Sequence, residues 1–278
     1  CTTMAPGLLA AARSPDGLLA SLRHASRTTD PAAPVFNAPA GGMGRLVGEL
    51  TSRLGDRIRT GMEATEIERA GEGWVVQTSD GTRAAADAVV VTTPAHVAAA
   101  LVSPHAPEAA SVLGGLRHAS VVVATMAWRR TDLEVPDDQS GFLVGRGEGL
   151  LMTACSFAGS KWAHLDDPDH AILRVSCGRI DDERHDAMHD AGLTAALATD
   201  VRTTLGVQAP PVVVRLTRWP RSLVQFPVGH PELMAEVDSA LAALPGLVVT
   251  GAARHGVGIP ACVRSGTEAA AEVAALIG

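Results

Sequence analysis

One segment near the C-terminus constrains the fold more than any other. Val248-Val249-Thr250-Gly251 reads as a buried strand, residues 252–259 as a loop holding Gly256 and Gly258, and Pro260 as the opening of a long helix. A strand feeding a glycine loop and then a helix gathers backbone N–H groups and the positive helix end at one point. Proline suits the first helical turn, where its missing donor costs nothing. Such a helix end stabilises a phosphate or a developing anion. Gly256 to Ala261 also matches a relaxed GxGxxA pattern. Only one helix follows it, however, with no second strand and no acidic residue for a ribose, so the pattern carries nothing by itself. A plain strand–turn–helix corner explains the segment equally well until its neighbours are considered.

Upstream, hydrophobic spacing predicts two short helices over residues 8–25, joined by a turn at Ser14-Pro15-Asp16-Gly17. A Thr/Pro/Ala/Asp-rich loop, 27–39, follows. Met43, Leu46, Val47, Leu50 and Leu54 then share one face of a helix ending at Gly55. Residues 64–69 and 74–78 form a hairpin about Gly71-Glu72-Gly73, and 86–93 read as one continuous, fully buried strand stopped by Pro94. A helix, 94–101, leads away. From about 120 to 216 strands dominate: 120–128, 140–144, 150–157, 170–177 and 212–216, with a polar helix over 181–205. A second, mixed-sheet domain is expected there. The tail returns to an amphipathic helix, 233–244, a buried strand, 246–251, and the helix from Pro260. On that last helix the apolar face of Val263, Ala270, Val273 and Leu276, or their neighbours, is expected to meet the sheet.

Composition narrows the function. With 278 residues, 46% of them apolar, the chain can bury a sizeable α/β core. A net charge of −7, with basic residues scattered, argues against a nucleic-acid partner. Cys1, Cys155, Cys177 and Cys262 lie far apart without metal-ligand spacing, which predicts no metal site and a reducing, cytoplasmic setting. No apolar run reaches the roughly 18 residues that span a bilayer. The start, Cys-Thr-Thr-Met, has neither the charged nor the apolar region of a signal peptide, so the chain is expected to be a fragment.

Several motifs occur in order: Gly41-Gly42-Met43 before a helix, Ala64-Thr65-Glu66-Ile67-Glu68-Arg69, Ala86-Asp87-Ala88-Val89-Val90-Val91-Thr92-Thr93-Pro94, Ser140-Gly141-Phe142-Leu143-Val144, Ser160-Lys161-Trp162, Arg218-Trp219-Pro220, and Gly256-Val257-Gly258-Ile259-Pro260-Ala261-Cys262. Together they resemble the protoporphyrinogen/coproporphyrinogen oxidase family, within the FAD-containing amine oxidase superfamily, from about Leu8 to Ala274. The first and third motifs recur across the superfamily; the fourth, fifth and last are more particular to porphyrinogen oxidases, especially those of Gram-positive bacteria.

The resemblance implies a fold of class α/β: a partial FAD/NAD(P)-binding, Rossmann-like domain interleaved with a mixed-sheet α+β substrate domain. Residues 1–32 would be a remnant of a helical, membrane-facing lobe, 33–102 and 227–278 parts of the FAD-binding domain, and 103–226 the substrate domain. It implies FAD as cofactor, O2 as oxidant, a porphyrinogen of haem biosynthesis as substrate, and peripheral membrane association of the intact protein. Ala64 is similar to the position whose backbone pairs with the adenine. Thr92 and Thr93 resemble a strand end close to the cofactor, and Gly251 the glycine beside the pyrophosphate. Gly256, Val257, Gly258 and Ile259 resemble the segment against the flavin, while Ser140, Gly141 and Leu143 resemble the wall under the macrocycle. No catalytic acid or base is implied, because dehydrogenation needs placement and an electron sink. Two departures stand out. Ala252-Ala253 stands where many relatives carry polar or aromatic residues, and Phe226 keeps a ring without a hydroxyl. The opening strand, its GxGxxG turn and the ribose carboxylate of relatives are not found in this sequence.

Other residues have plainer readings. His185 and His189 have a chelating spacing, but a solvated helix face explains them better. Cys155 and Cys177 read as small core residues rather than nucleophiles. Lys161 and Arg146 could meet substrate carboxylates, and Trp162, Trp219 and Phe226 could line a site or simply pack. A flavin amine oxidase, a carotenoid desaturase or a cofactor-free, non-catalytic remnant are the alternatives.

Overall fold

The computed structural model describes residues 6–28, 37–136 and 138–278. The expected loop 27–39, the boundary between 32 and 33, and Cys1 fall wholly or partly outside the described residues. The chain divides into two compact units. One takes the residues up to Ala38, Val47–Arg117 and Phe226–Gly278; the other takes Pro39–Leu46 and His118–Gln225.

In the first unit, helices α1 (Pro6–Arg13) and α2 (Gly17–Thr28) form the expected pair about Gly17. Helix α3 (Gly44–Leu54) follows. Its apolar stripe is present but uncovered among the described residues, with Val47 64% and Leu50 52% exposed. Strands β1 (Ala64–Ala70), β2 (Gly73–Thr78) and β3 (Arg83–Ala86) make an antiparallel sheet in that order. The anticipated single strand over 86–93 is therefore two. Ala86 ends β3 by pairing with Trp74, and β4 (Val89–Val91) starts afresh in another sheet. Nor is β4 fully buried: Val91 is 5% exposed but Val90 37%. Its parallel partner is β10 (Leu247–Val249), with Leu247, Val248 and Val249 opposite Val89, Val90 and Val91. Helices α4 (Ala95–Val102) and α5 (Pro107–Gly115) pack on each other, and α5 on α8 (His230–Leu241). Trp74 anchors this unit. Its ring is buried against His105, and its indole N–H donates to the Pro245 carbonyl at 3.1 Å.

The second unit is a five-stranded sheet in the order β6-β7-β8-β5-β9. The strands are β5 (His118–Arg129), β6 (Gly141–Leu143), β7 (Met152–Phe157), β8 (His170–Cys177) and β9 (Val213–Val224). Every pairing is antiparallel, so the expected mixed sheet is an antiparallel one. Strand alternation explains the core. Val122, Ala124, Met126 and Trp128 of β5 and Ala171, Leu173, Val175 and Cys177 of β8 point to one face, where all are buried. Leu193, Leu197 and Val201 of α7 (Asp190–Leu205), at helical spacing, join the same cluster. A short helix, α6 (Ala158–Lys161), follows β7. Strand β9 runs eight residues beyond the predicted 212–216. It continues through Pro220 because β9 is an edge, where a missing donor is tolerated.

The polar stretch before α7 is not helical. Helix α7 starts at Asp190, with the His189 imidazole accepting from the Gly192 N–H at 2.9 Å as a cap. His185 lies outside the helix and is 1% exposed, which corrects its reading as a solvated face. Cys155 and Cys177 are core residues; burial pushes their thiols up to about 12 and about 11.

Asp200 ties α7 to the sheet. It is 8% exposed, and one carboxylate oxygen accepts from the Leu151 and Met152 N–H groups, each at 2.8 Å. Replacing it by alanine leaves two buried donors without a partner, at about 1–3 kcal/mol. Urea unfolding of Asp200→Ala is expected to show that loss, and an unchanged midpoint would contradict the clamp.

Candidate functional site

The site grows from the paired ends of β4 and β10. The Val89 N–H donates to the Gly246 carbonyl at 2.7 Å, and the Thr250 N–H to the Val91 carbonyl at 2.9 Å. Both chains therefore leave the sheet side by side, Thr92-Thr93 from one and Gly251 from the other. Gly251 turns at φ +108°, and a Cβ there would lie 3.4 Å from the Thr92 carbonyl oxygen. Only glycine takes that turn without strain.

The expected loop 252–259 contains one helical turn, α9 (Ala252–His255). It is held by an ion pair of buried Arg254 with Asp238 of α8. Gly256 then swings the chain at φ +133° into α10 (Ile259–Ile277), and a Cβ on it would lie 3.3 Å from the Ala261 methyl. The buried hydroxyls of Thr250 and Ser265 hydrogen-bond each other, fixing α10 on β10. Sequence reading found neither Arg254 nor this hydroxyl pair. Nothing in Ala252-Ala253-Arg254-His255 marks a buried cation. The face of α10 is also corrected. Ser265 and Ala269 are buried, with Val273 half-buried, whereas Val263 and Leu276 are exposed at 60% and 54%. Small residues allow close approach to β10, so the bulkier ones turn outward.

Gly258 caps α10 without a side-chain hydrogen bond. The first-turn N–H groups therefore receive no side-chain cap, and the helix end keeps its partial positive charge. Val257 and Ile259 on either side are 38% and 53% exposed. At the end of β4, next to the Thr92 that meets Gly251, the Thr93 hydroxyl is buried with no hydrogen-bond partner among the described residues. The structure thus sets Thr92 beside Gly251, with Thr93 next in the chain, and Gly256, Val257, Gly258 and Ile259 follow Gly251 across α9, all within the first unit. An uncapped helix end and an orphaned hydroxyl fit a planar, anionic group such as a flavin and its phosphates. Ala64 belongs to another sheet, where it opens β1 opposite Thr78 beside a bulge.

The other candidates, Phe226 apart, lie in the second unit. Gly141 has φ +128°, and a Cβ would come 2.1 Å from the Cys155 carbonyl oxygen, so pairing of β6 with β7 requires glycine there. The Ser140 carbonyl accepts from the Phe157 N–H at 3.0 Å. Leu143 is 87% exposed on the edge strand. Arg146 is paired with Asp181, and the Lys161 ammonium lies 5.8 Å from the Trp162 ring centre. Trp219 is half exposed, and Phe226 meets His230 edge-to-face at 4.5 Å. Burial holds the His230 imidazole below its ordinary range.

Residues 11–274 match the model of the flavin containing amine oxidoreductase family. A coproporphyrinogen III oxidase of Propionibacterium freudenreichii subsp. freudenreichii is 34% identical over 262 residues, 90% of this chain and 47% of the relative. A coproporphyrinogen III oxidase of Bacillus subtilis (strain 168) is 29% identical over 239 residues, 85% of this chain and 50% of the relative. A crystal structure from Exiguobacterium sp. 255-15, assigned to the protoporphyrinogen oxidases, superposes with TM-score 0.80 at 27% identity. It covers 97% of this chain and 58% of that one. The chain thus spans about half the length of the curated relatives it matches. With residues 11–274 matched by its model, the chain belongs to the flavin containing amine oxidoreductase family.

Proposed function

We propose that this chain supplies the glycine-turn face and the antiparallel substrate sheet of an FAD-dependent, O2-using porphyrinogen oxidase of haem biosynthesis. The substrate we assign is coproporphyrinogen III, oxidised to coproporphyrin III, in preference to protoporphyrinogen IX. The observation that carries the reading is the uncapped start of α10 beside Gly251 and Thr92, in a chain whose relatives bear that name.

Bound FAD supplies the electron sink for dehydrogenation. The chain's own residues place and hold it. In this reading the Ala64 backbone meets the adenine, and Gly251 with Thr92 and Thr93 lets main chain approach the pyrophosphate. Val257, Gly258 and Ile259 lie against the ring system. The α10 N-terminus holds the negative charge that develops there, a contribution of about 0.3–2 kcal/mol. Ser140, Gly141 and Leu143 form the wall under the macrocycle, with exposed Leu143 as its apolar contact. Residues 33–102 and 227–278 are assigned to the FAD-binding domain, 103–226 to the substrate domain, and 1–32 to a helical lobe. We place the intact protein in the cytoplasm with peripheral membrane association. No described helix is long and apolar enough to cross a membrane.

Gly258 is the sharpest test. A Cβ there would meet nothing of the protein nearer than Pro260 Cδ at 3.9 Å, at an ordinary φ of −73°. In the full-length oxidase Gly258→Val is expected to keep the melting temperature of the cofactor-free protein. It should lose flavin absorbance and turn over neither substrate, while the parent oxidises coproporphyrinogen faster than protoporphyrinogen. Full flavin occupancy in the variant would remove the loop from the cofactor site, and a faster protoporphyrinogen rate in the parent would overturn the substrate choice.

The sequence holds no strand followed by GxGxxG and no ribose carboxylate after it, the two features that anchor the nucleotide half of such a cofactor. Isothermal titration of this chain with FAD is therefore expected to show weak binding at most. A submicromolar Kd would contradict the partition of the site.

A further inference from the structure

We propose that Arg174 and Arg215, on the open face of the five-stranded sheet, hold propionate side chains of the porphyrinogen. The inference deepens the reading above and rests on it: that reading gives the macrocycle a wall but gives its carboxylates no partner.

Register places the two arginines. Strand alternation sends Ala124 and Met126 of β5, with Leu173 and Val175 of β8, into the core cluster that α7 joins. Thr125 and Arg174 pair with each other, so both stand on the opposite face. Arg215 of β9 pairs with Thr125 from the other side. A single row therefore crosses the sheet: Gly141, Ser156, Arg174, Thr125, Arg215. Gly141, expected beneath the macrocycle, begins the row that both arginines occupy. Leu143, 87% exposed, stands in the adjoining row, level with Val123. Two strand spacings separate Arg174 from Arg215, about 10 Å at Cα, a span comparable with a tetrapyrrole ring.

Their charge has no answer within the unit. Both side chains are exposed, and neither has a hydrogen bond or ion pair among the described residues. Other arginines here are neutralised: Arg130 by Asp166, Arg184 by Asp182 and Arg218 by Asp190. Arg146, which sequence reading offered for a substrate carboxylate, is held by Asp181. No Asp or Glu occupies a paired position on the open face. Like charges that share a sheet face repel, so the pair is unfavourable until an anion meets it. A guanidinium takes a carboxylate through two parallel N–H···O bonds. Apolar Leu143 and Val123 beside the row suit a flat ring, and the arginines suit carboxylates at its rim. Coproporphyrinogen, with four propionates around an apolar macrocycle, has both kinds of group.

The probe is coproporphyrin III, the air-stable oxidised form of that substrate, titrated into this chain without flavin and followed by its fluorescence. A micromolar dissociation constant is expected. Arg174→Gln and Arg215→Gln should each raise it at least tenfold, whereas Arg146→Gln should change it less than twofold. If a glutamine variant fails to fold, the lysine variant at that position takes its place; it keeps the charge without the fork and should lose at least threefold. Absence of binding at micromolar concentrations, or unchanged affinity after either substitution, would overturn the proposal. An equal loss in all three glutamine variants would show general charge attraction and overturn it too. None of these outcomes bears on the oxidase reading, which Gly258→Val and the two substrate rates decide.

Discussion

Three residue pairs, Val89 with Leu247, Val90 with Val248 and Val91 with Val249, carry more of this structure than their number suggests. They join segments that flank residues His118–Gln225 in sequence, and so close the first unit on itself. Loop closure becomes only about 0.6 kcal/mol more costly with each doubling of loop length, so a short ribbon can hold a long excursion. The ribbon has support. The Trp74 indole and the Arg69 guanidinium both donate to the Pro245 carbonyl, at 3.1 and 2.9 Å, and pin the turn that leads into β10. Gly246 in that turn sits so close to Asp87 and Trp74 that a Cβ would meet the Asp87 carbonyl oxygen at 2.9 Å.

From that pairing the candidate site follows geometrically. Two strand ends leave the sheet together, one turns at Gly251, and α10 begins three residues past Gly256 with its first turn uncapped. The glycines divide by what surrounds them. Gly251 and Gly256 are held by conformation and by protein neighbours, and Gly141 in the other unit by the Cys155 carbonyl. Gly258 has open space around it and an ordinary backbone.

Much of this was legible in the residues, where a local pattern had a local cause. The strand at 170–177 has its observed bounds because its alternation is unbroken, and the pair α1 and α2 is set by the Ser14–Gly17 turn. The Val-Val-Thr-Gly to Pro260 passage was read correctly as strand, turn and helix for the same reason. What escaped depends on contacts distant in sequence. The break between β3 and β4 reflects a change of sheet partner at Ala86, invisible in a run of apolar residues. The buried face of α10 follows from the Ser265 hydroxyl meeting Thr250, whereas hydrophobicity alone favoured Val263 and Leu276. Polar residues 181–189 look helical by composition, but buried His185 and the His189 cap stop the helix at Asp190.

The central claim is that the β4–β10 ribbon closes the first unit, while the five-stranded unit stands on its own core. Gly246→Val tests both halves at once, since it drives a side chain into the Asp87 carbonyl at a backbone angle of +82°. Residue-resolved hydrogen exchange on that variant is the direct measurement. Protection is expected to be lost across β4, β10 and the Trp74 region, with β5, β8 and α7 still protected. Loss of protection in both units together, or retained protection at Val89–Val91, would contradict it.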